Sequence, residues 1–511
     1  MKIPERRVAQ LAVLAALVGF AIYWVREVRL VGDFDFDDTF ITLRYARNLA
    51  VHGHLSFNLD DRVDGFTSPG WTLFLALLLK LGFNGPRVAV LASNLFGLLG
   101  GWMAVLLARR LGASFALALC ACAMTLSSGD WITWAAPGME TPFAAVCAVL
   151  LLLSLAVHRL PNAARAGACV LAYLARPECV ILVAVALLHD ALVVLRSHGD
   201  ERRRAAGWFG LTVLLISTLF FGHWLYYGYP LPNTYYAKLS GVRFFKRGVP
   251  DLEEFAKARY IGAVLLAAPV VAILGGPRRR AATFAFMPWL LASCWTYAAA
   301  GGDYLEGHRF YQPLVPAAWA FIAAGLGLVL VKLPGQRIVQ MVVGIACAAL
   351  AIVEMQGLHD VSKGLLDSGK VIVSVKSYAR QWRGAGRAFA RCYPPSTSMS
   401  VRPAGVIPWE TDFRTFDTLG LNTREVAMHP GITRDYDPGH TKEASAAQVV
   451  AWMPDLVLNH PHFAATDETG PLVPRTPVEY VRAGYLTRCI PDGRRWVCAL
   501  ERPGLLPPDC H

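Results

Sequence analysis

The chain has 511 residues, 55% of them hydrophobic and only 17% charged, with a formal net charge of +12. Several apolar runs approach the roughly 20 residues a membrane helix needs, which excludes a soluble enzyme with one anchor. The basic excess gathers at one end of successive apolar runs and no nucleic-acid motif accompanies it, so it reads as a topology signal rather than a nucleic-acid surface.

Taken in order, the first apolar run, Val8 to Val25, follows Lys2, Arg6 and Arg7 in the manner of a signal peptide. Arg26, Glu27 and Arg29 stand where a small-residue cleavage site would be, so a retained helix is expected. The groups Arg109–Arg110, Arg159 with Arg165, Arg196 with Arg202 to Arg204, Arg278 to Arg280, and Lys332 with Arg337 mark cytoplasmic ends under the positive-inside rule. The first helix then runs outward, and the acidic stretch from Asp33 opens an outer loop over about residues 33–86. A charge at the bilayer centre costs roughly 2.5–3.5 kcal/mol. Adjacent Asp37 and Asp38 are therefore expected at the membrane surface, facing a wet cleft and suited to proton abstraction from a hydroxyl. Asp37 also suits the N-cap of a helix beginning at Thr39.

Thr39 to Val51 mixes Phe40, Ile41, Leu43 and Leu49 with Arg44, Arg47 and Asn48, a pattern for a helix lying along the interface. Trp71 to Leu81 spans only about 16 Å as a helix, short of a core about 30 Å thick, so a second interfacial helix is expected. Crossing segments follow at Val88–Leu107, Ala113–Leu126, Phe143–Val157, Ala166–Leu195, Trp208–Leu225, Ile261–Leu274, Thr283–Tyr297, Leu314–Val331 and Ile338–Val353. Arg176-Pro177-Glu178 interrupts Ala166–Leu195, because proline disfavours helix for its predecessor. Two short spans meeting on the outer side, or a re-entrant pair, both preserve the parity. The total is about eleven spans, or about nine with a re-entrant pair.

Beyond about Gln356 the composition turns polar, with strand-like Ser398–Arg402 and Asp455–Leu458 and helix-like Ala444–Trp452. The expected organisation is a membrane module over residues 1–355 and a small extracytoplasmic α/β domain over 356–511, long enough for its own core. Of eleven cysteines, seven lie in or near apolar spans, where cysteine is an ordinary small hydrophobe. Cys392, Cys489, Cys498 and Cys510 fall in the outer region, where an even number suggests two disulfides. Cys489 with Cys498, bracketing Pro-Asp-Gly, is the favoured pair, and the spacings match no usual zinc-ligand pattern.

Five outer clusters combine charge, aromatics and Gly/Pro, and together suggest one shared cleft. They are Asp37–Asp38 with Arg62, Asp64 and Thr67; the loop Trp131 to Pro142 with Glu140; Arg176-Pro-Glu178; Tyr226 to Lys238 with Asn233 and Tyr235; and Gly301 to Phe310 with Asp303, Glu306, His308 and Arg309. Interfacial turns with an aromatic belt explain the aromatics equally well. The charged members, near a lipid boundary, call for more.

In these clusters Asp-Asp-Thr-Phe-Ile-Thr-Leu-Arg-Tyr-Ala-Arg-Asn-Leu, Arg-Val-Asp-Gly-Phe-Thr-Ser-Pro, Pro-Gly-Met-Glu-Thr-Pro, Ala-Arg-Pro-Glu, Leu-Pro-Asn-Thr-Tyr-Tyr-Ala-Lys and Gly-Gly-Asp-Tyr…His-Arg-Phe occur in order. The set resembles bacterial GT-C glycosyltransferases. It is most similar to the terminal arabinofuranosyltransferase type and, more distantly, to protein O-mannosyltransferases and the lipid A aminoarabinose transferase. Ala404-Gly-Val-Ile-Pro-Trp and Phe416-Asp-Thr-Leu-Gly-Leu-Asn resemble the tail of the same family.

The resemblance implies a polytopic α-helical membrane enzyme, multi-pass in a bacterial inner membrane, with its site on the periplasmic side. It implies a polyprenyl-phosphate sugar donor, a cell-envelope glycan, glycolipid or protein acceptor, and inversion at the anomeric carbon. Asp37 or Asp38 matches the general base, with Asp37 favoured by its place in the motif. Arg309 with His308 is the first choice for gripping the donor phosphate, since Arg can bind it bidentately; Lys238 and Arg176 are reserves. Asp64, Glu140 and Asp303, with Glu178, Asn233 and Tyr235, are expected to orient sugars or these cations. The sequence names no cofactor, and a divalent ion held by the two carboxylates, as in related oligosaccharyltransferases, stays open. His52 and His54, or His460 and His462, read as solvated pairs rather than metal ligands. A lipid-linked sugar flippase is the first alternative, although it predicts charge spread through the membrane depth. A non-catalytic envelope assembly protein is the second, and it has no need of Asp37 and Asp38.

Overall fold

The computed structural model describes residues 36–157, 162–238, 245–258, 261–303, 307–332, 367–433, 441–464, 476–493 and 495–505, with scattered positions in 18–29 and 339–353. The expected first and last spans, and Asp33, Asp35, Glu306 and Cys510, lie wholly or largely outside these residues.

The chain begins its described course with α1 (Asp37–His52) and α2 (Pro69–Lys80), which pack on each other. The helical bundle follows as α3 (Gly85–Leu111), α4 (Phe115–Leu126), α5 (Gly129–Ala135), α6 (Thr141–Ala156), α7 (Asn162–Ala175), α8 (Cys179–Arg196) and α9 (Gly199–Tyr227). Short α10 (Asn233–Lys238) and α11 (Phe245–Ala258) lead into α12 (Ile261–Leu274), α13 (Gly276–Ala299) and α14 (Val315–Leu330). Among the described residues, four helical segments are long and apolar enough to cross a membrane: α3, α8, α9 and Gln312–Leu330. Counting each of two bent pairs as one span raises this to six, the α4–α5 pair being bent by 59°. The expected first and last spans lie largely outside the described residues, and several of the remaining apolar helices are short. Helix α6 has 16 residues and α7 has 14, about 24 and 21 Å of rise.

Packing at the centre relies on small residues. A Cβ on Gly97 or Gly100 of α3 would stand 2.6 Å from the rings of Trp24 and Trp131, so these two tryptophans fit only against glycine. Close approach through small residues is the usual means of helix association in lipid, where apolar burial alone gives little. The Trp131 indole also donates to the Gly97 carbonyl at 3.1 Å.

Helix direction alternates so that the polar loops gather at one end of the bundle and the basic clusters at the other. At the basic end, Gly112 after α3, Arg279 at the start of α13 and Leu328 near the end of α14 are neighbours. Arg165 near the start of α7 pairs with Asp190 near the end of α8 at 2.5 Å. These helices therefore run antiparallel, and Arg176-Pro177-Glu178 is the tip of their hairpin at the polar end.

The polar end is capped by α15 (Asp367–Cys392) and by strands β1 (Ser398–Val401), β2 (Arg414–Asp417), β3 (Ile432–Thr433), β4 (Lys442–Glu443), β5 (Leu456–Ala464), β6 (Leu486–Asp492) and β7 (Arg495–Glu501), five of which form a sheet of order β2-β1-β5-β7-β6. Strand β1 lies parallel to both β2 and β5, and β6 and β7 add antiparallel. Between β1 and β2 lies α16 (Val406–Thr411). Cys489 and Cys498 face each other across β6 and β7 and are disulfide-bonded; Cys392 is disulfide-bonded too. One hydrophobic cluster joins Met399, Val401, Ile407 and Phe413 to Ile41, Tyr45, Phe57 and Phe66 of the first loop. The sheet unit thus shares a core with the membrane module rather than standing apart from it.

Candidate active site

Helix α1 positions the acidic doublet. It begins at Asp37, with Phe36 at the N-cap and no side-chain cap, so Asp37 does not serve as the N-cap of a helix starting at Thr39. A helix turns about 100° per residue, so neighbouring side chains point to different surroundings. Asp37, Phe40, Arg44 and Arg47 form one face, against residues 405–413. The two carboxylate oxygens of Asp37 accept the amide hydrogens of Gly405 and Val406 at 2.9 and 2.7 Å. Phe40 meets Trp409 edge-on, and Arg44 donates to the carbonyls of Pro408 and Phe413, both at 2.7 Å. Arg47 donates to the Trp409 carbonyl and to Asp412.

Asp38, Ile41 and Thr42 form the other face and line a cavity of about 330 Å³. Asp38 faces the cavity, while both Asp37 oxygens accept backbone amides, so the structure gives the two carboxylates different surroundings. Burial pushes the Asp37 carboxyl up to about 7, with the two amides opposing and the Asp38 charge adding.

Arg309 crosses to Asp38 from the loop before α14. Its Nη1 donates to Asp38 at 2.7 Å, while Nε and Nη2 donate to Asp303 at 3.0 and 3.3 Å. The guanidinium lies against the rings of Phe36, Trp134 and Phe310, with centroids 4.7–5.4 Å away across the three contacts. Such a cage keeps water off the charge and strengthens its interactions. Lys238, at the end of α10, also lines the cavity, with its ammonium 5.9 Å from the Phe310 centroid. It makes no hydrogen bond or ion pair with another described residue. Burial lowers its pKa, aided by Arg309 and Arg176 and opposed by Asp38 and Asp303.

Arg176 forms a separate wall. It donates to Glu140 and to Glu178, each at 2.6 Å, and to the Tyr297 hydroxyl at 3.1 Å; that hydroxyl donates in turn to Glu178 at 2.5 Å. Three of its five N–H donors thus meet acceptors of the protein, and the residue lines the same cavity.

The other expected residues divide. Tyr235 lines the cavity. Asp64 and Asn233 do not: Asp64 accepts the Asn233 amide at 2.7 Å and pairs with His223 at 2.5 Å, while the Asn233 side chain donates to the carbonyls of Gly420 and Leu421. Together they latch the first loop, α9, α10 and the sheet unit. Burial raises the Asp64 pKa against the opposing His223 contact. His308 does not join Arg309 at the cavity. Its left-handed backbone (φ 48°) turns the ring toward Asp251 at 3.3 Å and Glu254 at 3.9 Å. Burial alone would lower its pKa, but the Asp251 hydrogen bond and the charges of Asp130, Asp251 and Glu254 raise it.

Sequence reasoning missed Tyr297, which at the end of an apolar span reads as an interfacial aromatic. It also missed His223 and Asp251, for which no local motif gives a signal. Among the described residues, no group of three or more His, Cys, Asp or Glu side chains is placed to hold a metal ion.

Comparison with known proteins fits this architecture. Residues 372–499 match a family model described as a domain of unknown function (DUF8728). No curated protein matches the chain in sequence. Among solved structures, ArnT from Cupriavidus metallidurans bound to undecaprenyl phosphate is similar with a TM-score of 0.55 and 16% identity, covering 98% of this chain and 100% of that one. The apo state of the same protein gives 0.54 and 16%, covering 96% and 98%. The oligosaccharyltransferase AglB from Archaeoglobus fulgidus, in complex with an inhibitory peptide and a dolichol-phosphate, gives 0.46 and 14%, over 79% and 64%, too distant a likeness to argue from. The chain is a membrane protein with the GT-C fold, as its ordered motifs lead one to expect.

Proposed function

We propose that this protein is an inverting glycosyltransferase that moves a sugar from a polyprenyl-phosphate donor to an acceptor hydroxyl in the cell envelope. The observation that carries the reading is the convergence of Asp38, Arg309 and Lys238, from three distant stretches of a GT-C fold, on one largely apolar cavity. A lipid-borne donor suits such a cavity, and the solved ArnT complex holds undecaprenyl phosphate.

In the reaction, Asp38 takes the proton of the acceptor hydroxyl as its oxygen attacks the anomeric carbon. The bond from that carbon to the phosphate oxygen breaks, and its electron pair leaves with polyprenyl phosphate. That anion needs neutralising more than protonating, and preorganised cations at the point of developing charge supply this. Lys238 and Arg309 are placed to do so. Arg176, Glu140, Glu178 and Tyr297 form a fixed polar wall that orients the sugar.

The basic end of the bundle supports a cytoplasmic assignment for that end and an extracytoplasmic site. Arabinofuranose is the first sugar to test, because the motifs most resemble the terminal arabinofuranosyltransferase type; mannose or another hexose is the next. The test is release of polyprenyl phosphate by purified protein from a panel of polyprenyl-phosphate sugars with cell-envelope acceptors. Wild type is expected to release it and Asp38→Asn to fall by roughly 10²–10⁴-fold, the usual worth of a general base. Equal turnover by the two proteins refutes the assignment.

A further inference from the structure

The clasp between α1 and residues 405–413 gives Asp37 a task distinct from that of Asp38, and the inference rests on the transferase reading above. We propose that Asp37 is a positioning residue, through which the sheet unit fixes the first turn of α1 and so aims Asp38 at the cavity.

The first turn of a helix lacks part of its internal hydrogen bonding and frays unless something outside holds it. Asp38 sits in that turn, and both of its neighbours are anchored. On one side, the Thr39 hydroxyl donates to the Pro137 carbonyl at 2.9 Å. On the other, Asp37 receives the amides of Gly405 and Val406. Rotation of the turn would break one anchor or the other. A carboxylate held away from the cavity is costly without partners. Here its partners are backbone amides of the distant sheet unit, so the contact serves docking.

Gly405 shows how close the fit is. A Cβ there would stand 1.8 Å from the Asp37 carbonyl oxygen and 2.8 Å from its Cγ. The contact is reinforced about two and three turns on by Arg44 and Arg47, whose guanidinium groups bind carbonyls of the same segment. The sheet unit is therefore part of the catalytic apparatus without supplying the reacting carboxylate.

The test uses the full chain in lipid nanodiscs, with Asp37→Asn, Asp37→Ala, Gly405→Ala and Asp38→Asn compared with wild type. One readout is steady-state release of polyprenyl phosphate from polyprenyl-phosphate arabinofuranose or mannose. The other is hydrogen exchange over residues 37–45 and 405–413, which needs no activity. Asp37→Asn is expected to lose less activity than Asp37→Ala, since its one side-chain oxygen still accepts one of the two amides while its NH2 cannot accept the other. Asp37→Ala and Gly405→Ala are expected to lose about 10²-fold in kcat, the scale set by a misplacement of about 1 Å. Their donor KM is expected to change by less than about threefold, because ground-state binding is not what is lost. Exchange over 405–413 is expected to quicken in both but not in Asp38→Asn.

If Asp37→Asn is as inactive as Asp38→Asn, Asp37 handles the proton itself and the proposal falls. Unchanged exchange over 405–413 in Asp37→Ala overturns it as well. Should wild type release no polyprenyl phosphate, the transferase reading fails on its own, and the exchange result still decides whether Asp37 holds the clasp.

Discussion

Arg176 offers the sharpest test of how the cavity is built, because the structure pairs it with two carboxylates of the protein. Its guanidinium is almost wholly buried, with a side-chain exposure of 5%, beside Glu140 and Glu178 at 8% each. Replacing Arg176 by Met removes two charge-assisted hydrogen bonds, each worth about 1.5–3 kcal/mol, and a third to Tyr297. It also strands two buried carboxylates, and removing one partner of a buried pair typically costs about 3–5 kcal/mol. The two figures describe the same loss and agree on its size. The triple variant Arg176→Met, Glu140→Gln, Glu178→Gln leaves no buried charge and is expected to recover most of the lost stability. Thermal unfolding followed by tryptophan fluorescence in detergent would place wild type highest, the triple variant below it and the single variant lowest. In parallel, the donor KM of Arg176→Met is expected to move by less than about threefold, since the guanidinium is already engaged. A triple variant no more stable than the single one would refute the buried-pair reasoning. A KM rise as large as that of a Lys238 variant would return Arg176 to the phosphate site.

Three further expectations follow from the same geometry. Lys238→Met is expected to raise the donor KM, because the cation meets the phosphate in the ground state, and to lower kcat, because it meets more charge in the transition state, each by roughly tenfold or more; initial rates against donor concentration read both. The pKa shifts also set the sign of a pH dependence. Asp37 (about 7), Asp417 (about 6) and His308 all have folded pKa values above their unfolded ones, so each holds a proton that the unfolded chain releases. The stability they contribute is greatest at low pH and is lost as pH rises, between 3.8 and about 7 for Asp37. Melting temperatures in buffers from about pH 5 to about pH 8 should fall accordingly, and Asp37→Asn should flatten the acidic part of that slope. Finally, breaking the Cys489–Cys498 link by serine substitution is expected to cost up to roughly 2.5–3 kcal/mol on loop entropy. Faster exchange confined to β6 and β7 would show it, and unaltered exchange there would contradict it.

How far the site was legible depended on how local its determinants are. Segments of the bundle could be read because hydropathy and charge along one stretch decide whether it can lie in lipid. The hairpin tip at Arg176-Pro177-Glu178 was visible for the same reason, since proline and two charges act where they stand. The hydrogen-bond partners were not visible. His308 adjoins Arg309 in sequence and was grouped with it, yet a left-handed backbone step sends the ring to Asp251, 57 residues away. Asp64 looked like a sugar ligand because it sits in a polar loop, but its partners His223 and Asn233 lie 159 and 169 residues distant. The shared core of the sheet unit and the first loop was hidden likewise, because composition marks a polar region without saying what it packs on.

Adjacency in sequence says least at Asp37 and Asp38, for a reason that lies in helix geometry. In a loop, neighbouring carboxylates can share a ligand; once helix α1 starts at Asp37, its turn sends them to different neighbours. The same logic applies to the cations. Arg176 and Arg309 are both held by carboxylates of the protein, Glu140 and Glu178 for one, Asp38 and Asp303 for the other. In the proposed reaction an arriving phosphate competes with Asp38 for Arg309, whereas Lys238 has no such pairing among the described residues. Donor binding and readiness of the base are in this way coupled through a single guanidinium. A phosphate that draws Arg309 toward itself loosens its hold on Asp38 at the moment the carboxylate is needed to accept a proton.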